Sequence, residues 1–324
     1  MKAENDEIIR KLKEWGLGNK DIICMLIGGS QANKNKITDE YSDVDVVVFA
    51  KRRKFYDKDL SWIEKIGKLA SYHEDRIGVP FIYCVHKIYF TNGAHLDLLF
   101  WDRRVLSLGA FYLWLRDHTP LLRFIPTLWE KIIIAHFSFF PKYIYRGYYL
   151  LVDKKNYRPR MEMIGRKFQY KQSPFSQDKL QDVVSRFWGI AYSTAISIRR
   201  NELMCAKIVG DNIMKFKLME LIELYAKLTN GEDFDVHDKG RYLEKWAPAF
   251  ITKRMKNIYG HYDAGDAWRA LMETMDLFGL ICETLTKEHP AIKLINPEQH
   301  FRKLIQGIEN TRTAVIGSSA NGHI

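Results

Sequence analysis

The chain has no uninterrupted apolar run of about 18 residues, so no membrane-spanning helix is expected. It has only four cysteines in 324 residues. Cys24, Cys84, Cys205 and Cys282 stand singly among apolar neighbours, with no C-x-x-C pair. They read as buried free thiols of a reducing cytosol, which argues against a disulfide framework and against a zinc site. Residues 1–13 are charged throughout, unlike a secretory signal, and a cytoplasmic location is expected. No internal repeat is visible.

The rest of the composition is that of an ordinary globular protein, 47% hydrophobic and 27% charged, and the length suffices for two domains and a large core. The charge is uneven. Net charge is +11, and residues 108–220 hold 19 basic side chains against 9 acidic ones, so nearly the whole excess falls there. It is interleaved with Phe, Tyr and Trp. A basic aromatic surface suits phosphate groups, nucleic acid or an anionic membrane face. The other reading is a solvated outer face, and both stay open.

An amphipathic helix is expected through Trp15, with Ile8, Ile9, Leu12 and Trp15 at helical spacing. A strand over residues 22–27 follows, then a Gly-Gly-Ser turn, a short helix or loop, and a strand over residues 44–49. A helix is expected near residues 60–70. A hairpin then runs through residues 80–90, the turn Thr91-Asn92-Gly93 and residues 94–101. This gives a mixed sheet with helices on one side, assigned to residues 1–107. Residues 108–324 read as a mainly helical bundle, with helices over 179–199, 212–228, 242–258 and 265–285. The expected fold class is therefore α+β. Residues 108–148 form a greasy insertion punctuated by Arg116, Arg123, Lys131, Lys142 and Arg146. It is expected to supply buried helices, membrane-surface or partner binding being the alternatives. Residues 317–324 read as a frayed tail.

The most informative stretch is Gly28-Gly29-Ser30, twelve residues, then Asp43-Val44-Asp45. Aspartates at i and i+2 of a strand share one face. Carboxylates so placed suit a hard divalent cation that shares its coordination with phosphates, and the glycines let backbone approach a phosphate closely. Asp97, an acid amid Leu96, Leu98, Leu99 and Phe100, needs a partner if buried. It reads either as a third metal ligand or as half of an ion pair with a lysine or arginine.

These motifs resemble the nucleotidyltransferase superfamily that includes DNA polymerase β. Within it the chain most resembles the aminoglycoside 6-adenylyltransferase (streptomycin adenylyltransferase) family. The matching segments are Gly29-Ser30-Gln31-Ala32-Asn33, residues 41–45 around the two aspartates, and His95-Leu96-Asp97-Leu98-Leu99. Further matches are Arg186-Phe187-Trp188, Arg200-Asn201-Glu202-Leu203 and residues 231–246, so the likeness spans about residues 22–288. It implies a polymerase β-like sheet domain followed by an acceptor-binding helical bundle, with the substrates meeting in a cleft between them. It also implies transfer of AMP from ATP to a hydroxyl of an aminoglycoside-like acceptor, with two Mg²⁺ ions. Asp43, Asp45 and Asp97 would be the catalytic and metal-binding residues. Gly29, Ser30, Gln31, Asn33 and Lys215 would bind the nucleotide, Lys217 being the alternative to Lys215. Glu202 and Asp182 would meet the acceptor. Gln31 departs from the family, which commonly has Arg there, and an amide lacks the charged fork that grips phosphate. The basic middle segment is the second departure, because an aminoglycoside is polycationic. It keeps an RNA or protein acceptor, or a nucleotide-binding module without turnover, as alternatives.

Overall fold

The computed structural model describes residues 2–32, 41–77, 83–119, 147–167 and 175–320. The chain divides into two units, Met1–Tyr170 and Lys171–Ile324, each with its own core.

The first unit is built on a six-stranded sheet in the order β3-β4-β5-β2-β1-β6. Its strands are β1 (Ile22–Ile27), β2 (Val44–Ala50), β3 (Leu69–Ile77), β4 (Tyr83–Phe90), β5 (His95–Asp102) and β6 (Tyr149–Asp153). β2 and β5 run parallel, and every other neighbouring pair is antiparallel. β1 is buried at all positions, and β2 at all but Asp45. Strands apolar on both faces need cover on both. Helix α1 (Lys2–Gly18) lays Ile8, Leu12 and Trp15 over one face, against Val46, Val48, Leu98 and Phe100. Two one-turn helices follow, α2 (Gly29–Ala32) and α3 (Arg53–Tyr56). On the opposite face α4 (Arg104–His118) and α5 (Arg158–Lys167) bring Leu106, Leu113, Met161 and Ile164 against Val47, Phe49, Leu99 and Trp101. Helices thus cover two sides, not the expected one.

Other expectations are corrected by particular residues. The helix near residues 60–70 is absent; a 3₁₀ turn at Ile63–Lys65 leads into β3. β3 is an edge strand carrying Ser71, His73, Glu74, Asp75 and Arg76, all exposed. Edge strands are kept polar against unwanted pairing, which erases the apolar alternation that would reveal them. The sheet unit also runs past residue 107, because β6 pairs with β1 through Met25↔Val152. Of the insertion, residues 120–146 lie outside the described residues. In its described part Leu113 is buried, whereas Leu108, Phe111 and Trp114 are exposed. The hairpin is as expected: Phe90 N donates to Ala94 O at 2.9 Å, and Gly93 takes the positive φ, 89°, that the turn needs.

The second unit is helical. Its elements are α6 (Gln177–Arg199), α7 (Leu203–Ile208), a π-helical turn (Val209–Met214), α8 (Lys215–Asn230), α9 (Leu243–Trp246), α10 (Ala249–Thr252), α11 (Ala264–Glu288) and α12 (Glu298–Ala320). Side-chain oxygens of Ser176 and Asp263 cap α6 and α11, accepting from the amides of Lys179 and Asp266. The helix expected over residues 242–258 breaks into short turns, since Tyr242 has a left-handed φ of 59° and Pro248 offers no amide donor. α12 was not foreseen; it runs to Ala320 through what read as the start of a frayed tail, and residues 321–324 lie outside the described residues. All four cysteines are free, but only Cys24 and Cys282 are buried; Cys84 is half-buried and Cys205 exposed. No helix among the described residues is long and apolar enough to cross a membrane.

The core of this unit centres on Phe187 and Phe278, fully buried, with ring centroids 3.5 Å apart. Removing a buried aromatic ring forfeits its burial and leaves a cavity. Phe278→Ala is expected to cost the second unit about 4 kcal/mol, read as a lowered urea midpoint for its unfolding; a loss under about 1 kcal/mol would contradict this core.

Candidate active site

In a parallel pair, side chains at paired positions lie on the same face of the sheet. β2 and β5 pair Asp45 with Asp97. Asp43 and His95, each two residues upstream, share that face by the strand period. On the next strand Lys87 stands opposite Asp97, and Tyr89 opposite His95. Asp43, Asp45, His95, Asp97 and Lys87 are all half-buried. Ligand atoms of Asp43, His95 and Asp97 lie within 4.8 Å of one another. The structure therefore brings Asp43 and Asp97 together with His95, whereas Asp45, on the same face, lies outside that group with its Oδ2 turned toward Gly29.

Asp45 is seated against the Gly-Gly-Ser turn. Gly28 N donates to Asp45 O at 3.0 Å. Gly29 has a φ of +59°, and a Cβ there would fall 1.7 Å from Asp45 Oδ2. Only glycine fits, because any other side chain would displace the carboxylate. Burial pushes the Asp45 carboxyl up to about 7; the negative charges of Asp43 and Asp97 add to the rise, and Lys87 and His95 oppose it.

Asp97 lies in a different field. Burial pushes its carboxyl up, but the contacts with His95 and Lys87 outweigh it and hold it below the usual range. Lys87 Nζ donates to Asp97 Oδ2. His95 Nε2 lies 2.9 Å from Asp97 Oδ1, yet neither buried atom makes a directed hydrogen bond. The His95 ring is fixed by stacking on Tyr89, centroids 4.3 Å apart and planes 10° apart. Of the two readings of Asp97, the ion pair is present, with Lys87, and the carboxylate also lies beside Asp43 and His95.

This donor set fits a divalent cation. Carboxylate oxygens are the ligands Mg²⁺ and Mn²⁺ prefer, and an imidazole nitrogen is better tolerated by Mn²⁺. Asp97 Oδ1 and His95 Nε2 contact each other at 2.9 Å, and both side chains offer a ligand atom within 4.8 Å of one on Asp43. A cation there would also relieve the repulsion that raises Asp45.

The remaining predicted residues are placed as follows. Gly29, Ser30 and Gln31 form the half-buried start of α2, beside Asp45. Asn33 lies outside the described residues. Lys215 belongs to the helical unit and is buried; its Nζ donates to Thr274 Oγ1 at 2.7 Å and Gly210 O at 3.2 Å. Burial lowers its ammonium to about 8, and no carboxylate among the described residues is ion-paired to it. Lys217 is bound to Glu220 at 2.7 Å. Asp182, exposed, pairs with Arg186 at 2.7 Å. Glu202, exposed, sits at the start of α7.

Lys87 and His95 were not singled out from sequence. The signal for His95 was its place on the face of Asp97. The signal for Lys87 was the turn: a hairpin centred on Asn92 opposes residues equidistant from it, and Lys87 and Asp97 are such a pair.

A mixed sheet presenting a D-x-D pair and a third acid from the neighbouring strand, beside a Gly-Gly-Ser turn, defines the chain as a nucleotidyltransferase. A family model described as streptomycin adenylyltransferase matches residues 1–306. The chain belongs to that family. An aminoglycoside 6-adenylyltransferase of Staphylococcus aureus is 20% identical over 293 residues, covering 87% of this chain and 88% of its own. One of the same name from Campylobacter jejuni is 20% identical over 280 residues, covering 86% of each. The solved structure of an aminoglycoside 6-adenyltransferase from Bacillus subtilis covers 95% of this chain and 98% of its own, at 14% identity and a TM-score of 0.41, and nothing is drawn from that likeness. None of these relatives supports a nucleic-acid partner.

Two substitutions test the local physics. Gly29→Ala is expected to cost roughly 2 kcal/mol, from the strained φ and the displaced carboxylate, whereas Gly189→Ala, in α6 with open space at its Cβ, should gain about 0.5–1 kcal/mol. Equal effects in urea unfolding would rule out the close approach of Gly29 to Asp45. For Lys215, the native state binds fewer protons than the unfolded chain between about 8 and the ordinary 10.5. Stability should therefore rise across that pH window, by about 3 kcal/mol in all. Lys215→Met should abolish the rise and be the more stable protein at pH 7; an unchanged pH profile would contradict the burial.

Proposed function

We propose that this chain transfers the adenylyl group of ATP to a hydroxyl of an aminoglycoside, streptomycin being the first to test. The observation that carries the reading is the meeting of Asp43, Asp45 and Asp97 on one sheet face beside Gly29, in a chain whose family is named for that reaction.

Asp43, Asp45 and Asp97, with His95 beside them, would hold the divalent metal, Mg²⁺ first. When bound, such an ion neutralises phosphate charge and favours departure of pyrophosphate. The residues themselves position and balance charge. Asp45, locked against Gly29, fixes one corner of the site. Gly29, Ser30, Gln31 and Asn33 are proposed to lie along the triphosphate. Gln31 offers it only an amide. Asp97, or Glu202 in its place, is proposed to receive the proton of the acceptor hydroxyl, as the new phosphate ester forms and the bond between the α- and β-phosphates breaks. Lys215 is proposed as a phosphate contact. What supports it is a buried ammonium with no ion-paired carboxylate among the described residues, Asp211 favouring its charge without such a pair, a charge that a phosphate would stabilise further. Glu202 and Asp182, both exposed, are the acids proposed to meet a polycationic acceptor.

The test is pyrophosphate release by purified protein with ATP, Mg²⁺ and streptomycin. Release is expected with the wild type, and Asp43→Ala or Asp45→Ala should reduce it by about a thousandfold or more, about 4 kcal/mol of barrier. No release with any aminoglycoside would remove the acceptor assignment. Release undiminished in both variants would remove the site.

A further inference from the structure

Among the described residues, Asp43, His95 and Asp97 are the side chains whose ligand atoms converge, all within 4.8 Å of one another and all half-buried. Two ligands of one ion, each roughly 2.0–2.6 Å from it, stand no more than about 5 Å apart, so a single ion can reach all three. Asp45, the second acid of the D-x-D pair, is outside this group, with Oδ2 turned toward Gly29. His95 stands in its stead. Its Nε2 lies 2.9 Å from Asp97 Oδ1, close to the spacing of about 3 Å between neighbouring ligands of a six-coordinate ion. The imidazole is also held at a set angle. Tyr89, its cross-strand neighbour, stacks on it with centroids 4.3 Å and planes 10° apart. His73 of β3 stacks on Tyr89 in turn, at 5.8 Å and 20°. A metal binds imidazole through a lone pair in the ring plane, so whatever fixes that plane orients the ligand.

We infer that His95 is itself a metal ligand, that the site it forms with Asp43 and Asp97 is a mixed nitrogen–oxygen site selecting Mn²⁺ over Mg²⁺, and that Tyr89 positions the imidazole. The inference rests on the metal-site reading of the preceding section and deepens it by naming the ion. Mg²⁺ is small and hard, and it demands oxygen ligands in near-ideal octahedral geometry. Mn²⁺ takes carboxylates equally well and accepts an imidazole beside them. The donors here sit on two paired strands, Asp43 just before β2 and the other two on β5, so sheet pairing limits how far they can shift to suit a smaller ion. The rival arrangement uses the same 2.9 Å contact differently, with His95 serving only as a partner of the Asp97 carboxylate. An ion beside such a pair would touch carboxylate oxygens and no nitrogen. The two arrangements therefore differ in one observable, the presence of an imidazole nitrogen on the bound ion.

The experiment titrates Mn²⁺ alone, without nucleotide, into the full chain and follows binding by the spin-resonance signal of the free ion. The bound ion is then read for coupling to ¹⁴N by electron spin-echo modulation. The wild type is compared with His95→Phe, which keeps a ring for Tyr89 but carries no nitrogen, and with His95→Asn, Tyr89→Phe and Tyr89→Ala. Each variant is first shown to be folded by circular dichroism. Imidazole coupling is expected in the wild type and Tyr89→Phe, and in neither His95 variant. His95→Phe should weaken Mn²⁺ at least about tenfold and Mg²⁺, measured by competition, by less, so that the preference for Mn²⁺ falls. Tyr89→Ala should weaken Mn²⁺ by about tenfold, whereas Tyr89→Phe should match the wild type. Bound Mn²⁺ without nitrogen coupling in the wild type, or coupling that survives in both His95 variants, would overturn the proposal while leaving the metal site intact. An unchanged preference in His95→Phe would overturn the selectivity, and wild-type affinity in Tyr89→Ala the positioning role. Absence of Mn²⁺ binding to the wild type, or binding undiminished in Asp43→Asn combined with Asp97→Asn, would instead overturn the metal-site reading and the proposal with it.

Discussion

The parallel pairing of β2 with β5 is the constraint on which the active centre depends. It sets Asp45 beside Asp97, and through the strand period it gathers Asp43 and His95 on the same face. A slip of one residue would put Asp97 on the face where Leu96 and Leu98 pack with Ile8, Leu12 and Trp15 of α1. Those leucines are fully buried, so the hydrophobic effect enforces the register that the acids need. Burial raises the carboxyl of Asp45, and the gathered negative charges of Asp43 and Asp97 add to the rise. The sheet holds them together because burial of β1, β2 and β5 on both faces far outweighs a local conflict of a few kcal/mol.

The two ends of the cluster are treated differently. Among the described residues no cation is ion-paired to Asp45; it is pressed against a glycine whose missing Cβ makes the room. Asp97 gets Lys87 at one oxygen and His95 at the other. One carboxylate is thus left near its protonation point while the other stays ionised. Buried polar groups of this kind are retained where chemistry, not stability, sets the residue. Lys215, buried in the helical core with Thr274 and a carbonyl as hydrogen-bond partners and the Tyr259 ring 5.5 Å from its Nζ, fits the same pattern. The π-helical turn just before it is a feature found often at functional positions.

Much of this was legible in sequence where the signal is local. Gly29, the Asp43–Asp45 spacing, the turn at Asn92 and the acid at Asp97 announce themselves by residue type and period, and the helices α6 and α11 by their apolar steps. What was hidden depends on tertiary partners. β3 carries no apolar alternation because its surroundings are water. β6 belongs to the sheet only because it completes the edge of β1. α12 follows a stretch of short loops and carries few apolar residues toward its end. The cover on both sheet faces could have been read from the unbroken apolar runs of β1 and β2, which alternate nowhere. Lys87 was open to simple register arithmetic across the hairpin, whereas its choice of Asp97 over solvent follows only from the sheet's third dimension.

Everything turns on whether the acids of β2 and β5 share a cation. The most direct measurement is anomalous scattering from crystals of the wild-type chain soaked with Mn²⁺ and a non-hydrolysable ATP analogue. The account predicts a peak at coordination distance, roughly 2.0–2.6 Å, from carboxylate oxygens of both Asp43 and Asp97. A peak bound only to the nucleotide, or one seated away from both strands, would contradict it.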